Sequence, residues 1–227
     1  MTTRIAIDGP SGAGKSTVGH ALSRHIGATF VDTGLMYRAL TLAALERGIG
    51  VDDGPTLGEL ATVAAIEVET PGPEHPHRLE TVVLDGRDVT DAVRTPTVDR
   101  AVSAVSRHPE VRDAMVAVQR GAADRGDTVM VGRDIGTVVL PDATLKVYLT
   151  ATPEVRAGRR AVEMGAPERY AEYLAEILRR DAADSEREVA PLRQAEGSLL
   201  LDTGRLDVEE CVAAIERRLV EEVEARA

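Results

Sequence analysis

Residues 8–17 read DGPSGAGKST. Gly9, Gly14, Lys15 and Ser16 fit the spacing G-x-x-x-x-G-K-[ST]. The apolar run RIAID (4–8) leads in, and STVGHALSRHIG (16–27) leads out with Val18, Leu22 and Ile26 on one helical face. A buried strand thus empties through a glycine loop into a helix. That context predicts phosphate binding. Gly12 and Gly14 carry no side chain to block oxygens from the backbone N–H groups, and the helix N-terminus favours anions. Gly9, Pro10, Ser11, Gly12, Ala13, Gly14, Lys15, Ser16 and Thr17 are the expected contacts to the nucleotide phosphates. Lys15 reaches the β- and γ-phosphates, and the Ser16 hydroxyl ligates Mg²⁺.

Working outward, ATFVD (28–32) reads as a second strand and TGLMYRALTLAALERG (33–48) as a second helix closed by Gly48. TVMVG (128–132), LKVYLTA (145–151) and SLLLDT (198–203) add three buried strands. Helices are expected near 97–107, 109–125, 153–165, 167–187 and 207–225, with Asp207 as an N-cap. Strand–helix alternation predicts an α/β fold: a five-stranded parallel sheet with helices on both faces. IEVET (66–70) and RLETVVLDG (78–86) break the rhythm and read as a β-hairpin inserted on the core, linked by PGPEHPH (71–77). The expected organisation is one domain: core at about 1–62, 96–155 and 195–227, an insert at about 63–95 and a lid at about 160–194.

Composition narrows the class. The chain of 227 residues has 2% aromatics and no Trp, so its core rests on Ala, Val, Leu and Ile. A net charge of −11 argues against general binding to nucleic acid, which needs a basic stripe. No signal peptide and no apolar stretch of membrane-spanning length is read, so a soluble, cytoplasmic protein is expected; no long apolar surface stripe calls for more than a monomer. The single cysteine, Cys211, sits in an apolar-periodic run and reads as core.

The phosphate loop alone serves switches, motors and kinases. A guanine-reading switch needs Asn-Lys-x-Asp, and the sequence has no Asn. A motor would close a strand with Asp-Glu, whereas TVMVG runs into Arg133 and Asp134. Small-molecule kinases remain, in which an arginine-rich lid excludes water. RRDAADSER supplies it: Arg180, Asp184 and Arg187 are spaced i, i+4, i+7 on one helical face. The bland alternative is a solvated face of i,i+4 ion pairs.

The motifs DGPSGAGKST, DTGLMYRA (32–39), LDGRDVTDAVRT (84–95), VSAVSRHPEVR (102–112), GRDIGTVVLPDA (132–143) and RRDAADSEREVAPL (179–192) stand in an order that resembles the bacterial cytidylate kinases. The resemblance spans residue 4 to about 205 and is weakest at 70–78. It implies transfer of the γ-phosphoryl group of ATP to CMP or dCMP, with an acceptor-binding insert and a mobile lid. Carried over by motif, Ser103, Arg112 and Asp134 read cytosine. Thr33, Arg38 and Arg133 hold the acceptor phosphate. Asp184, Arg180 and Arg187 meet ribose and phosphates. Lys15, Arg133, Arg180 and Arg187 are the expected catalytic cations. A carboxylate suits the cytosine N4 amine, a pure donor, while uracil presents a carbonyl there.

Other residues have plainer readings. Tyr37 reads as packing. Arg156, Arg159 and Arg160 either flank the nucleotide or are solvated. His75 and His77 lack partners at metal-ligand spacing, and Asp142 belongs to a turn.

Overall fold

The computed structural model describes residues 2–69, 71–75, 77–187 and 189–225. Along the chain the elements are β1 (Arg4–Asp8), α1 (Lys15–Ile26), β2 (Thr29–Asp32), α2 (Thr33–Glu46), α3 (Gly54–Val63), β3 (Ile66–Glu69), β4 (Thr81–Leu84), β5 (Arg87–Asp88), α4 (Pro96–Val105), α5 (Pro109–Ala123), β6 (Thr128–Gly132), β7 (Leu145–Thr150), α6 (Pro153–Glu163), α7 (Tyr170–Glu186), β8 (Leu199–Asp202) and α8 (Val208–Glu224). A π-helical turn at Ile135–Val139 follows β6. The sheet runs β2-β6-β1-β7-β8, five strands as expected.

The chain divides into two compact units, residues 1–28 with 127–227, and residues 29–126. In the first, β1 lies between β6 and β7 in parallel register, Ile7 beside Val131 and Val147. β8 follows β7 with Leu149 opposite Leu201. The core is aliphatic: Ile5, Ile7, Leu22, Met130, Leu149, Cys211 and Ile215 are fully buried. Gly27 stops α1 in the left-handed conformation. Asp207 caps α8 through a reciprocal pair with Glu210. Ala157 and Ala161 of α6 pack against Tyr173 and Ile177 of α7, so these two helices share a small apolar seam.

The second unit is built on α2, whose N-cap Asp32 accepts from the Gly34 N–H. α2 packs on α4, and α3 packs on α5. β3 and β4 form the expected antiparallel hairpin, Ile66 opposite Leu84. A second, shorter hairpin joins β4 to β5 through Asp85 and Gly86, both at positive φ. The expectation of one strand through residue 86 is corrected there: the Asp-Gly pair turns the chain back. α3 lies where no helix was expected. Pro76 of the link and Glu188 of the lid segment fall outside the described residues.

Candidate active site

The phosphate loop has the geometry its spacing demands. Gly9, Gly12 and Gly14 all have positive φ, and Gly14 caps α1. Gly9 is fixed by proximity as well as by angle. A Cβ there would meet the Leu149 carbonyl oxygen of β7 at 2.1 Å. Lys15 opens α1 and is buried, its Nζ donating to the Pro10 carbonyl at 2.7 Å. Ser16 is half-buried on the next position, and Thr17 is exposed.

Four residues outside the expected contacts support the loop. Arg156 is 2% exposed. Its guanidinium donates to the Ser11 carbonyl at 3.0 Å and grips Asp181 of α7 through both carboxylate oxygens. Arg156 is therefore buried rather than solvated and ties the loop to α7, while Arg160 pairs with Glu163 at the surface. Arg159 reaches Thr203, whose hydroxyl in turn donates to the Ala13 carbonyl at 3.1 Å. Asp8, at the end of β1, accepts from Ile135 N at 2.7 Å and Gly136 N at 2.8 Å. Burial pushes its carboxyl up to about 6 against the pull of those two bonds, and the Asp134 charge adds to the rise. A charged Asp is legible at this position; its partners, more than a hundred residues on, are not. A crevice of ≈ 480 Å³ adjoins the loop, lined by Pro10, Tyr148, Thr150, Arg156, Asp181 and Asp202 among others.

The same two bonds from Asp8 set the start of the π-helical turn, directly after Arg133 and Asp134. These two side chains pair crosswise with the end of α7. Arg133 Nε donates to Asp184 Oδ2 at 2.9 Å, and Arg187 Nη2 stands 3.6 Å from Asp134 Oδ1. Asp134 and Asp184 are buried. Burial works to raise the Asp184 carboxyl, but the Arg133, Arg180 and Arg187 guanidiniums outweigh it and hold the group below the usual carboxylate range. The expected face of Arg180, Asp184 and Arg187 needs one correction. α7 ends at Glu186, and Arg187 has an extended backbone. It reaches Asp134 from beyond the helix rather than along its face.

The second unit holds the remaining candidates. Thr33 is the buried first residue of α2. Arg38, one turn on, ion-pairs with Asp99 and donates to the Val93 carbonyl at 3.0 Å. Arg112 is buried at the start of α5, its guanidinium 5.8 Å from the centre of the Tyr37 ring. Tyr37 therefore packs, as read, but under a candidate arginine. Ser103 is half-buried on α4.

Residues 5–221 match the family described as cytidylate kinase. The chain belongs to the cytidylate kinase family. It is 48% identical over 226 residues to a cytidylate kinase of Exiguobacterium sp. (strain ATCC BAA-1283 / AT1b), covering 98% of each chain. It is 49% identical to that of Exiguobacterium sibiricum, covering 93% of this chain and 94% of the relative. Among solved structures, a shikimate kinase from Bacteroides thetaiotaomicron overlays with a TM-score of 0.50 at 16% identity, covering 96% and 99% of the two chains. That likeness speaks for the fold alone.

For this family the expected metal is Mg²⁺, and the residues fit it. Among the described residues no three His, Cys, Asp or Glu side chains gather as a cage. Ser16 supplies a hydroxyl directly after Lys15, and each Asp8 oxygen accepts a backbone N–H. Mg²⁺ is the cation that suits so sparse a set, because it keeps several waters and takes substrate phosphates. No helix among the described residues is long and apolar enough to cross a membrane.

Proposed function

We propose that this chain transfers the γ-phosphoryl group of ATP to CMP or dCMP, giving ADP and CDP or dCDP. The observation that carries the reading is the crosswise cluster of Arg133, Asp134, Asp184 and Arg187, held next to the phosphate loop by Asp8. A loop that binds a nucleoside triphosphate thereby has guanidiniums and a buried carboxylate at its edge. In a cytidylate kinase, those are the groups needed for an anionic acceptor carrying an exocyclic amine.

In this reading Gly9 to Thr17 cradle the ATP phosphates. Thr33, Arg38 and Arg133 hold the acceptor phosphate; Ser103, Arg112 and Asp134 read its base; Asp184 takes the ribose. Phosphoryl transfer spreads negative charge over the equatorial oxygens, so placement and cations do most of the work. Lys15, Arg133, Arg180 and Arg187 supply the cations. The nucleophile is a phosphate oxygen already ionised near neutral pH, because a phosphate monoester loses its second proton at about pH 6. No side chain needs to remove a proton. Ser16 would hold Mg²⁺, which when bound offsets charge on the β- and γ-phosphates. Residues 63–95 serve as an acceptor-binding insert and 160–194 as a lid on one kinase domain, acting as a cytoplasmic monomer.

The test is ADP formation from ATP with CMP, dCMP, UMP, AMP or no acceptor. Fast turnover with CMP and dCMP and slow turnover with UMP is the expected pattern. A rate without acceptor equal to that with CMP would reassign the chain to ATP hydrolysis, and preference for AMP or UMP would reassign the acceptor.

A further inference from the structure

Behind the catalytic edge lies a second polar crevice of ≈ 370 Å³, within the size range of small-ligand pockets. It is lined by Gly136 and Thr137 of the π-helical turn, Lys146 of β7, and Arg193, Gln194 and Glu196 of the segment before β8. Lys146 pairs with Ala6, two positions before the Asp8–Tyr148 pair. At strand rise this sets it about 6.6 Å back from the sheet edge that carries the phosphate loop. None of the residues lining this crevice lines the crevice beside the loop. It is a separate place.

Its chemistry is unspent. Among the described residues neither Lys146 nor Arg193 has an ion-pair or hydrogen-bond partner. The Thr137 hydroxyl oxygen is buried and has no hydrogen-bond partner. Lys146 belongs to a strand whose neighbours Leu145 and Val147 are buried. Its stem runs under Gly136, where a Cβ would stand 3.3 Å from the Lys146 Cγ. Glu196 offsets one of the two positive charges, leaving a net charge of +1 on the lining. A guanidinium with an ammonium is the usual pair for phosphate oxygens.

We propose that this crevice is a second anion site, taking inorganic phosphate or a small phosphate monoester through Lys146 and Arg193. The inference does not rest on the nucleotide reaction.

The chain has only two lysines, Lys15 and Lys146, which makes the site readable one residue at a time. Amine acetylation of the full chain at constant ionic strength, followed per lysine by mass spectrometry, is the experiment. Millimolar inorganic phosphate should slow acetylation of Lys146 by about fivefold or more relative to chloride. R193Q should abolish most of that protection. E196Q, which removes the opposing charge, should lower the half-protecting concentration severalfold. A parallel arm with glycerol 3-phosphate names the source: the anion protecting at lower concentration is the better fit. Protection of Lys15 alone, or protection of Lys146 undiminished in R193Q, would overturn the proposal.

Discussion

Asp134 and Gly9 show how much rests on single side chains, present or absent. Asp134 is 5% exposed and faces Arg187, so its carboxylate is both buried and held in place. In the proposed role it accepts from the cytosine amine, and uracil would leave it against a carbonyl. Asp134→Ala should therefore narrow the ratio of kcat/KM for CMP over UMP by about 10²-fold or more. Equal loss with both acceptors would move the residue from recognition to catalysis. Gly9→Ala is a different kind of change. The new methyl group would run into the backbone oxygen of Leu149 at 2.1 Å, and no side-chain rotation relieves that. We expect a loss of about 3 kcal/mol or more, read from the denaturant midpoint. The loop motif disclosed these glycines at once. It disclosed nothing of the partners of Arg156, Thr203 or Asp8, which only the folded chain brings near.

At the scale of elements, local signals found nearly every strand and helix, and the exceptions have physical causes. α3 carries two glycines in ten residues, which lowers helix propensity. Tertiary packing overrides this: a Cβ at Gly58 would stand 2.6 Å from the Glu110 Cβ of α5, so the glycine lets the two helices approach. β5 is only two residues long and has no periodicity to read. β4 raises a question of charge. Glu80, just before it, is 3% exposed, with Arg94 3.8 Å away. Burial pushes its carboxyl up to about 8, and the Asp32 charge pushes it further the same way. A carboxyl raised in the native state holds its proton while the unfolded chain ionises near 4.5. Stability from Glu80 is therefore complete below pH 4.5 and is lost as pH rises toward 8. The loss is capped at roughly 4–5 kcal/mol. Glu80→Gln should raise the melting temperature at pH 8, by about 2–4 °C for each kcal/mol recovered, and leave it unchanged at pH 4.5. An equal effect at both pH values would mean that packing, not ionisation, governs the position.

For the molecule as a whole, composition was the guide to the core and the motifs to the family. Two per cent aromatics foretold an aliphatic core, and Phe30 is indeed its only phenylalanine. The acidic balance of −11 coexists with tight local clusters of arginine, as an anion-binding protein in an acidic shell requires. The division at residues 28 and 126 had no compositional marker, since neither boundary is rich in proline or serine. One contact joins parts of the first unit that are far apart in sequence. Arg156 holds the Ser11 carbonyl with one hand of its guanidinium and Asp181 with both. The nucleotide loop and the long helix behind it thus share a rigid strut. A triphosphate that steadies Ser11 must also quiet the amides around Asp181. Deuterium uptake across 170–186 should slow when a non-hydrolysable ATP analogue is added, and Arg156→Met should uncouple the two, leaving the helix indifferent to whether the loop is filled.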